Sequence, residues 1–341
     1  DGMEVDDLAD LLIDLPETVT QNVLRSLDHQ DEERLRQVLA YDEDSAGGLM
    51  NVSIEFEGWS HERALRMTRT IYYNVSQIFR IAERDGIPTW QAADRMAQER
   101  IATLEGGVGA VCCSSGHAAQ IMALFPLMGP GANIVVSTRL YGGTVTQFSQ
   151  TIRRFGWSAK FVDFDDLAAV EAAVDENTRA VFCEAIANPG GYITDLDAIA
   201  ALADRLGLPL IVDNTSATPY LCRPIDHGAT LVVHSTTKYL TGNGTVTGGA
   251  IVDSGRFDWS AGGKFPSLSE PEPAYHGLKF HETFGPLAFT FHSIAVGLRD
   301  LGMTMNPQAA HYTLMGIETL SLRMQRHVEN AVKVATWLEG D

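Results

Sequence analysis

The sequence predicts an α/β fold with a mainly parallel sheet, preceded by an all-helical N-terminal region. Three observations carry that prediction. Between residues 103 and 341 short apolar runs recur, and helix-period stretches separate most of them; apolar strands alternating with helices mark a parallel sheet covered on both faces. Residues 3–45 set leucines and valines at helical spacing among acids, and residues 60–102 repeat that period with a more balanced charge.

In chain order, the first block (1–51) carries Leu8, Leu11, Leu12 and Leu15, then Val19, Val23, Leu24 and Leu27, then Leu35, Val38 and Leu39. Pro16 suits a first helical turn, and Asp31, Glu32 and Glu33 suit the positive end of the next helix. This reads as an amphipathic helical hairpin with a solvated acidic face. In the second block (52–102) Ile71, Tyr72, Val75, Ile78, Phe79 and Ala82 form a helical stripe, stopped by Asp85-Gly86-Ile87-Pro88. Thr89 then caps a second helix through Ile101. In the third block (103–341) the strand candidates are Gly109–Cys113, Asn133–Val136, Ala159–Val162, Ala180–Glu184, Pro209–Asp213, Thr230–His234 and Gly249–Val252. Helical runs such as Asp166–Val174 and Leu196–Leu206 lie between them.

Composition narrows the function classes. The 341 residues are 45% hydrophobic, enough for a buried core, and carry a net charge of −19. Residues 1–51 hold 14 acids against 3 bases, so much of the charge is concentrated there. An acidic chain is a poor partner for nucleic acid or an anionic membrane, because phosphate contacts need Lys and Arg. No apolar run reaches the roughly 18–20 residues of a membrane span, and the acidic start carries no secretory signal. Four cysteines, two of them adjacent, show neither a disulfide framework nor a metal spacing. The expectation is a soluble cytoplasmic protein without a bound metal.

In a parallel sheet, ligands sit at the carboxyl edge, so the strand ends carry the chemistry. Lys238 follows one apolar run in Val-Val-His-Ser-Thr-Thr-Lys, and Asp213 ends another in Leu-Ile-Val-Asp-Asn-Thr. An amine and a carboxylate so placed are what pyridoxal 5′-phosphate requires: the amine bonds the aldehyde, and the carboxylate keeps the pyridine nitrogen protonated. Taken singly, Lys238 reads equally as a surface lysine and Asp213 as a helix cap. The first strand ends in Ser-Ser-Gly-His and enters a helix, where Gly116 would let the backbone approach an anion, or serve a packing turn. Tyr141 offers an aromatic face or an ordinary loop contact, and Asn188 offers a donor to a ring oxygen or a turn before Pro189.

Together, Ser-Ser-Gly-His-Ala-Ala, Leu-Tyr-Gly-Gly-Thr, Asn188-Pro189, Val-Asp-Asn-Thr and His-Ser-Thr-Thr-Lys resemble the cystathionine-synthase and O-acetylhomoserine-sulfhydrylase family of pyridoxal phosphate enzymes. The resemblance runs from about residue 104 to 340. Thr-Pro-Tyr-Leu-Cys-Arg-Pro-Ile-Asp-His-Gly-Ala and Phe-Pro-Ser-Leu-Ser-Glu-Pro-Glu-Pro-Ala-Tyr-His-Gly favour the sulfhydrylase branch. It implies a large domain of the aspartate-aminotransferase type, with Lys238 as Schiff-base lysine and proton shuttle, Asp213 on the pyridinium and Tyr141 stacked on the ring. It implies also that Ser115, Gly116 and His117 cup the phosphate, that Ser235 and Thr237 add hydroxyls, and that Asn188 and Thr215 border the ring. The implied reaction is γ-replacement on O-acetyl-L-homoserine by sulfide or a thiol, giving homocysteine or methionine and acetate, in a homo-oligomer.

Two further resemblances lie upstream. Asp-Asp-Leu-Ala-Asp-Leu-Leu and Leu-Ala-Tyr-Asp-Glu-Asp-Ser-Ala-Gly-Gly-Leu-Met, within residues 3–51, resemble the cytosolic helical domain of MgtE-type magnesium transporters. Ile-Pro-Thr-Trp-Gln-Ala-Ala-Asp-Arg-Met-Ala-Gln-Glu-Arg-Ile, within 52–102, resembles the C-terminal helices of leucine- and valine-type amino-acid dehydrogenases. No dinucleotide fingerprint accompanies it. The sulfhydrylase-type family carries a Tyr-x-Arg-x-x-Asn-Pro clamp ahead of its Leu-Glu-Gly-Gly motif and a small domain beyond the equivalent of Trp337; this sequence shows neither. The chain therefore reads as a composite of partial domains with impaired turnover. The alternative is a non-catalytic module whose acidic helices bind a divalent cation or a partner.

Overall fold

The computed structural model describes residues 76–87 and 89–340. The chain divides into two compact units, Asp1–Ile87 and Pro88–Asp341. The predicted helices of residues 3–45, and Ile71, Tyr72 and Val75 of the second stripe, lie outside the described residues.

In the first unit residues 76–85 are helical. The helix closes at Gly86, whose φ of +63° only glycine adopts cheaply, and the Ile87 N–H returns to the Ala82 carbonyl at 3.0 Å. The predicted stop is thus a glycine-closed helix end. The stripe is rotated from the one read in the sequence: Ile81 is buried, while Phe79 is 60% exposed. Phe79 lies about 100° around the helix from Ile78, at the margin of the apolar face.

The second unit is built on one mixed sheet. Its strands are β1 (Gly109–Cys113), β2 (Asn133–Ser137), β3 (Ser158–Val162), β4 (Thr178–Glu184), β5 (Leu210–Asp213), β6 (Leu231–His234) and β7 (Gly249–Asp253). The helices used below are α1 (Thr89–Glu105), α2 (Gly116–Leu124), α3 (Leu167–Ala173), α4 (Leu196–Arg205), α5 (Pro307–Glu318) and α6 (Leu320–Gly340). Every strand candidate is present, displaced by at most two residues. The order across the sheet is β1-β7-β6-β5-β4-β2-β3. Strands β3, β2, β4, β5 and β6 run parallel, and β7 is antiparallel to both its neighbours.

Branched aliphatic residues make these strands, and both faces are covered. All five residues of β2 and of β7 are buried. Ile134, Val136, Phe182, Ile211, Val233 and Ile251 join one core with Phe148, Trp259, Phe265, Phe280 and Phe289. Phe148 meets Phe182 edge-on at 4.9 Å, and Trp259 stacks on Phe289 at 5.6 Å. Short polar side chains start the helices. Asp166 caps α3, Asp195 caps α4, and Asn306 caps α5 just before Pro307, each accepting the amide three residues on. Helix α1 begins in the block read as a helix pair and leads into β1; Arg100 pairs with Glu318 of α5.

The chain moves outward from β2 to β3, returns to β4, and then proceeds the other way through β5 and β6. The order therefore reverses between β2 and β4. Crevices form at such a point, outside the carboxyl ends of the strands.

Candidate functional site

The exits of β1, β2, β4, β5 and β6 each deliver one part of the site. At the end of β1, Ser115 stays extended (φ −166°, ψ 166°) and its Oγ accepts the Ala118 N–H at 3.1 Å, starting α2. The helix offers no acceptor to its first amides, so those of Gly116 and His117 are free for an anion. Glycine is required at 116, because a Cβ there would lie 2.6 Å from Ser235 Cβ and 2.9 Å from its Cα. The exits of β1 and β6 are therefore pressed together.

Beyond β2 stands Tyr141, half exposed, with the His117 ring 6.0 Å away and tilted by 37°. Glu184 ends β4, and Asn188 follows on the loop beyond it, preceding a cis bond to Pro189. At the end of β5 the Asp213 carboxylate is held from both sides. Oδ1 accepts the Thr215 N–H at 3.0 Å, and Oδ2 accepts Gln120 Nε2 at 3.2 Å. Gln120 is itself fixed by donating to Thr144 Oγ1 at 3.0 Å. After β6, the Ser235 N–H donates to Thr215 Oγ1 at 2.8 Å, locking the two exits in register. The Thr237 hydroxyl accepts the Gly248 N–H at 3.0 Å, and the Lys238 N–H donates to the Ser235 carbonyl at 3.2 Å.

All of these open on one cavity of about 880 Å³. Ser115, Gly116, His117, Tyr141, Asn188, Asp213, Thr215, Ser235, Thr237 and Lys238 line it, so every residue singled out in the sequence meets there. Asp213 caps no helix, which disposes of that alternative. Gln120, Thr144, Glu184, Tyr239 and His327 share the wall and were not anticipated. A signal existed for two of them. Gln120 lies one turn after Gly116 on the buried face of α2, and Glu184 is a charge closing an otherwise apolar strand.

Electrostatics single out Glu184. Burial, and then the nearby charge of Asp213, push its carboxyl up to about 7, against the pull of the Tyr141 and Asn188 amides. Deeper in the unit, His234 Nε2 and Glu105 Oε1 lie 2.6 Å apart with both side chains buried, and Asn214 Nδ2 donates to the same oxygen at 2.7 Å. This ties α1 to the ends of β5 and β6. Among the described residues no group of three His, Cys, Asp or Glu is arranged to hold a metal ion, and no helix is long and apolar enough to cross a membrane.

The wall suits a flat, anionic coenzyme. Two helix-start amides with the Ser115 and Ser235 hydroxyls match a phosphate; Tyr141 gives a ring face, Asp213 a carboxylate and Lys238 an amine. Gln120 Oε1 is buried without a partner, so the wall retains an acceptor to offer.

The family model described as Cys/Met metabolism PLP-dependent enzyme matches residues 83–341. The chain belongs to this family. Pyridoxal 5′-phosphate is thus its coenzyme. The match begins ahead of residue 104, so part of the stretch that resembles the dehydrogenase helices falls within it. A second model, the MgtE intracellular N domain, matches residues 1–44, in agreement with the upstream resemblance. The homocysteine synthase of Schizosaccharomyces pombe is 50% identical over 244 residues, which are 71% of this chain and 57% of that protein. Among solved structures, one from Campylobacter jejuni containing N′-pyridoxyl-lysine-5′-monophosphate is 37% identical with a TM-score of 0.71, covering 73% of this chain and 62% of that one. The O-acetylhomoserine sulfhydrylase of Wolinella succinogenes is 34% identical with a TM-score of 0.65, covering 73% and 69%. The chain spans little more than half the length of the curated relatives it matches.

Proposed function

We propose that the second unit binds pyridoxal 5′-phosphate through Lys238 and performs γ-replacement on O-acetyl-L-homoserine. Sulfide or a thiol is the nucleophile, and homocysteine or methionine leaves with acetate. The observation that carries this reading is the convergence of one amine and one carboxylate, from the exits of neighbouring strands β6 and β5, on a single cavity of about 880 Å³. The names of the relatives, homocysteine synthase and O-acetylhomoserine sulfhydrylase, support the substrate assignment. The same reading takes the protein as a cytoplasmic homo-oligomer in which residues 1–51 and 52–102 are partial segments ahead of the coenzyme-binding domain.

Pyridoxal phosphate, when bound, draws electrons from the substrate's α-carbon. The chain's own residues do the rest. Asp213, fixed by Thr215 and Gln120, would hold a proton on the ring nitrogen. Tyr141 would cover the ring, Asn188 would donate to its oxygen, and Thr215 would border it. Ser115, Gly116 and His117 would bind the phosphate, with Ser235 and Thr237 adding hydroxyls. Lys238 would hold the coenzyme aldehyde through Nζ and, once the substrate amine has taken its place, would be the group that moves protons at the substrate's α- and β-carbons, passing each on before taking the next and returning them as the nucleophile replaces acetate at the γ-carbon.

The test is spectroscopic. Purified protein given the coenzyme is expected to show the visible band of a lysine-bound pyridoxal, and Lys238→Ala to lose it. A band unchanged in the variant overturns the assignment.

A further inference from the structure

Glu184 has no part in the chemistry just described, yet it is 5% exposed and lies on the cavity wall. It ends β4, opposite Asp213 of β5 in the sheet register, on one side of the point where the strand order reverses. Its two oxygens are used separately. Oε1 accepts the backbone N–H of Tyr141, on the loop after β2, at 2.5 Å. Oε2 accepts the backbone N–H of Asn188, on the loop after β4, at 3.0 Å. One carboxylate thus bridges the two loops that flank the crevice.

We propose that Glu184 is a positioning residue: its ionised carboxylate ties the Tyr141 and Asn188 loops together and so sets the spacing of the two walls that enclose the flat coenzyme. The inference rests on the coenzyme reading for what the walls enclose, but the tie itself belongs to the protein alone.

The ionised form does this best. A carboxylate accepts strongly on both oxygens, whereas a carboxylic acid turns one of them into an O–H donor and leaves it a weak acceptor. With its carboxyl raised to about 7, the residue changes form near neutrality. Asp213 on β5 is the charged group that bears on it, and the Cys183 thiol before it is itself pushed up by burial. His117, Tyr141, Lys238, Tyr239 and His327 are the other ionisable groups on the wall. Glu184→Gln keeps the size and removes one acceptor, and so stands for the protonated state at every pH.

The experiment is hydrogen exchange at the Tyr141 and Asn188 amides of the coenzyme-free protein, corrected for intrinsic rates, with coenzyme affinity measured alongside. Loss of a hydrogen bond to a charged acceptor predicts exchange faster by about ten- to a hundredfold in Glu184→Gln at whichever of the two amides faces the new NH2 group. Amides within β2 and β5 should be unaffected. Wild-type protein should show the same loosening as pH falls through about 7, and the variant should not. Coenzyme affinity should fall by roughly tenfold in the variant. The wild-type pH series carries the test even if the variant folds poorly. Unchanged exchange at both amides overturns the tie. Faster exchange with unchanged coenzyme affinity overturns the positioning role. Because the exchange arm needs no coenzyme, failure of Lys238 to bind pyridoxal phosphate would be seen separately.

Discussion

Asp213 shows how little of a working residue is its own side chain. Its carboxylate is immobilised by the Thr215 amide and by Gln120, and the latter bond requires Thr144 on yet another segment. Asp213→Asn should leave the coenzyme on Lys238 but slow the spectral change that follows substrate addition by about 10²–10³-fold, the usual scale for removing one preorganised electrostatic partner. Gln120→Leu removes one of the two donors and should slow it by about tenfold. Stopped-flow absorbance reads both, and a Gln120→Leu protein as slow as Asp213→Asn would show that Gln120 does more than hold the carboxylate. Lys238 and Asp213 were legible in the sequence because each is a reactive group at, or shortly after, the end of an apolar run. Gln120 was not: its role exists only because α2, packed over β6 and β7, brings it within reach of the end of β5, a contact between residues 93 apart.

At the scale of an element, α2 carries two functions at one position. Ser115 caps the helix and also stands on the cavity wall. Ser115→Ala should cost about 1 kcal/mol of stability, read by denaturant unfolding. Ser115→Asp should keep the cap but repel a phosphate, so that stability is retained and coenzyme affinity falls; equal affinity in the two variants would separate Ser115 from the phosphate. The neighbouring strand sets the tolerance. A Cβ at Gly249 would lie 2.1 Å from the Ser115 carbonyl oxygen, so β7 can approach this turn only as glycine. The helix stop at Asp85-Gly86-Ile87 was readable for a local reason, since a glycine at positive φ writes itself into sequence. Which face of that helix is buried was not, because Phe79 and Ile81 differ only in what packs against them.

For the molecule as a whole, buried acids decide how stability follows pH. Burial raises Glu184 to about 7, and Asp94 and Asp253 to about 6 each, above their ordinary values of 4.5, 3.8 and 3.8. The folded state therefore keeps protons that the unfolded chain has already released, and stability falls as pH rises from about 4 through 7. His292 opposes this: burial lowers it to about 4, so its contribution is lost as pH drops from 6.5. Three carboxyls outweigh one imidazole, and a net charge of −19 adds self-repulsion at neutral pH. Thermal unfolding should accordingly come at higher temperature near pH 6 than at about pH 8; the reverse order would mean that other groups govern the balance. The seven strands and their helices were legible because buried parallel strands are continuous apolar runs. Their order was not, nor the antiparallel insertion of β7 between β1 and β6, since lateral pairing leaves no periodic trace in one strand's sequence.

The most direct test of the account is to reduce the coenzyme-loaded protein with borohydride, digest it, and locate the pyridoxyl group by mass spectrometry. The account predicts a single modified peptide, with the added mass on Lys238. A pyridoxyl group on any other lysine, or none after loading, would contradict it.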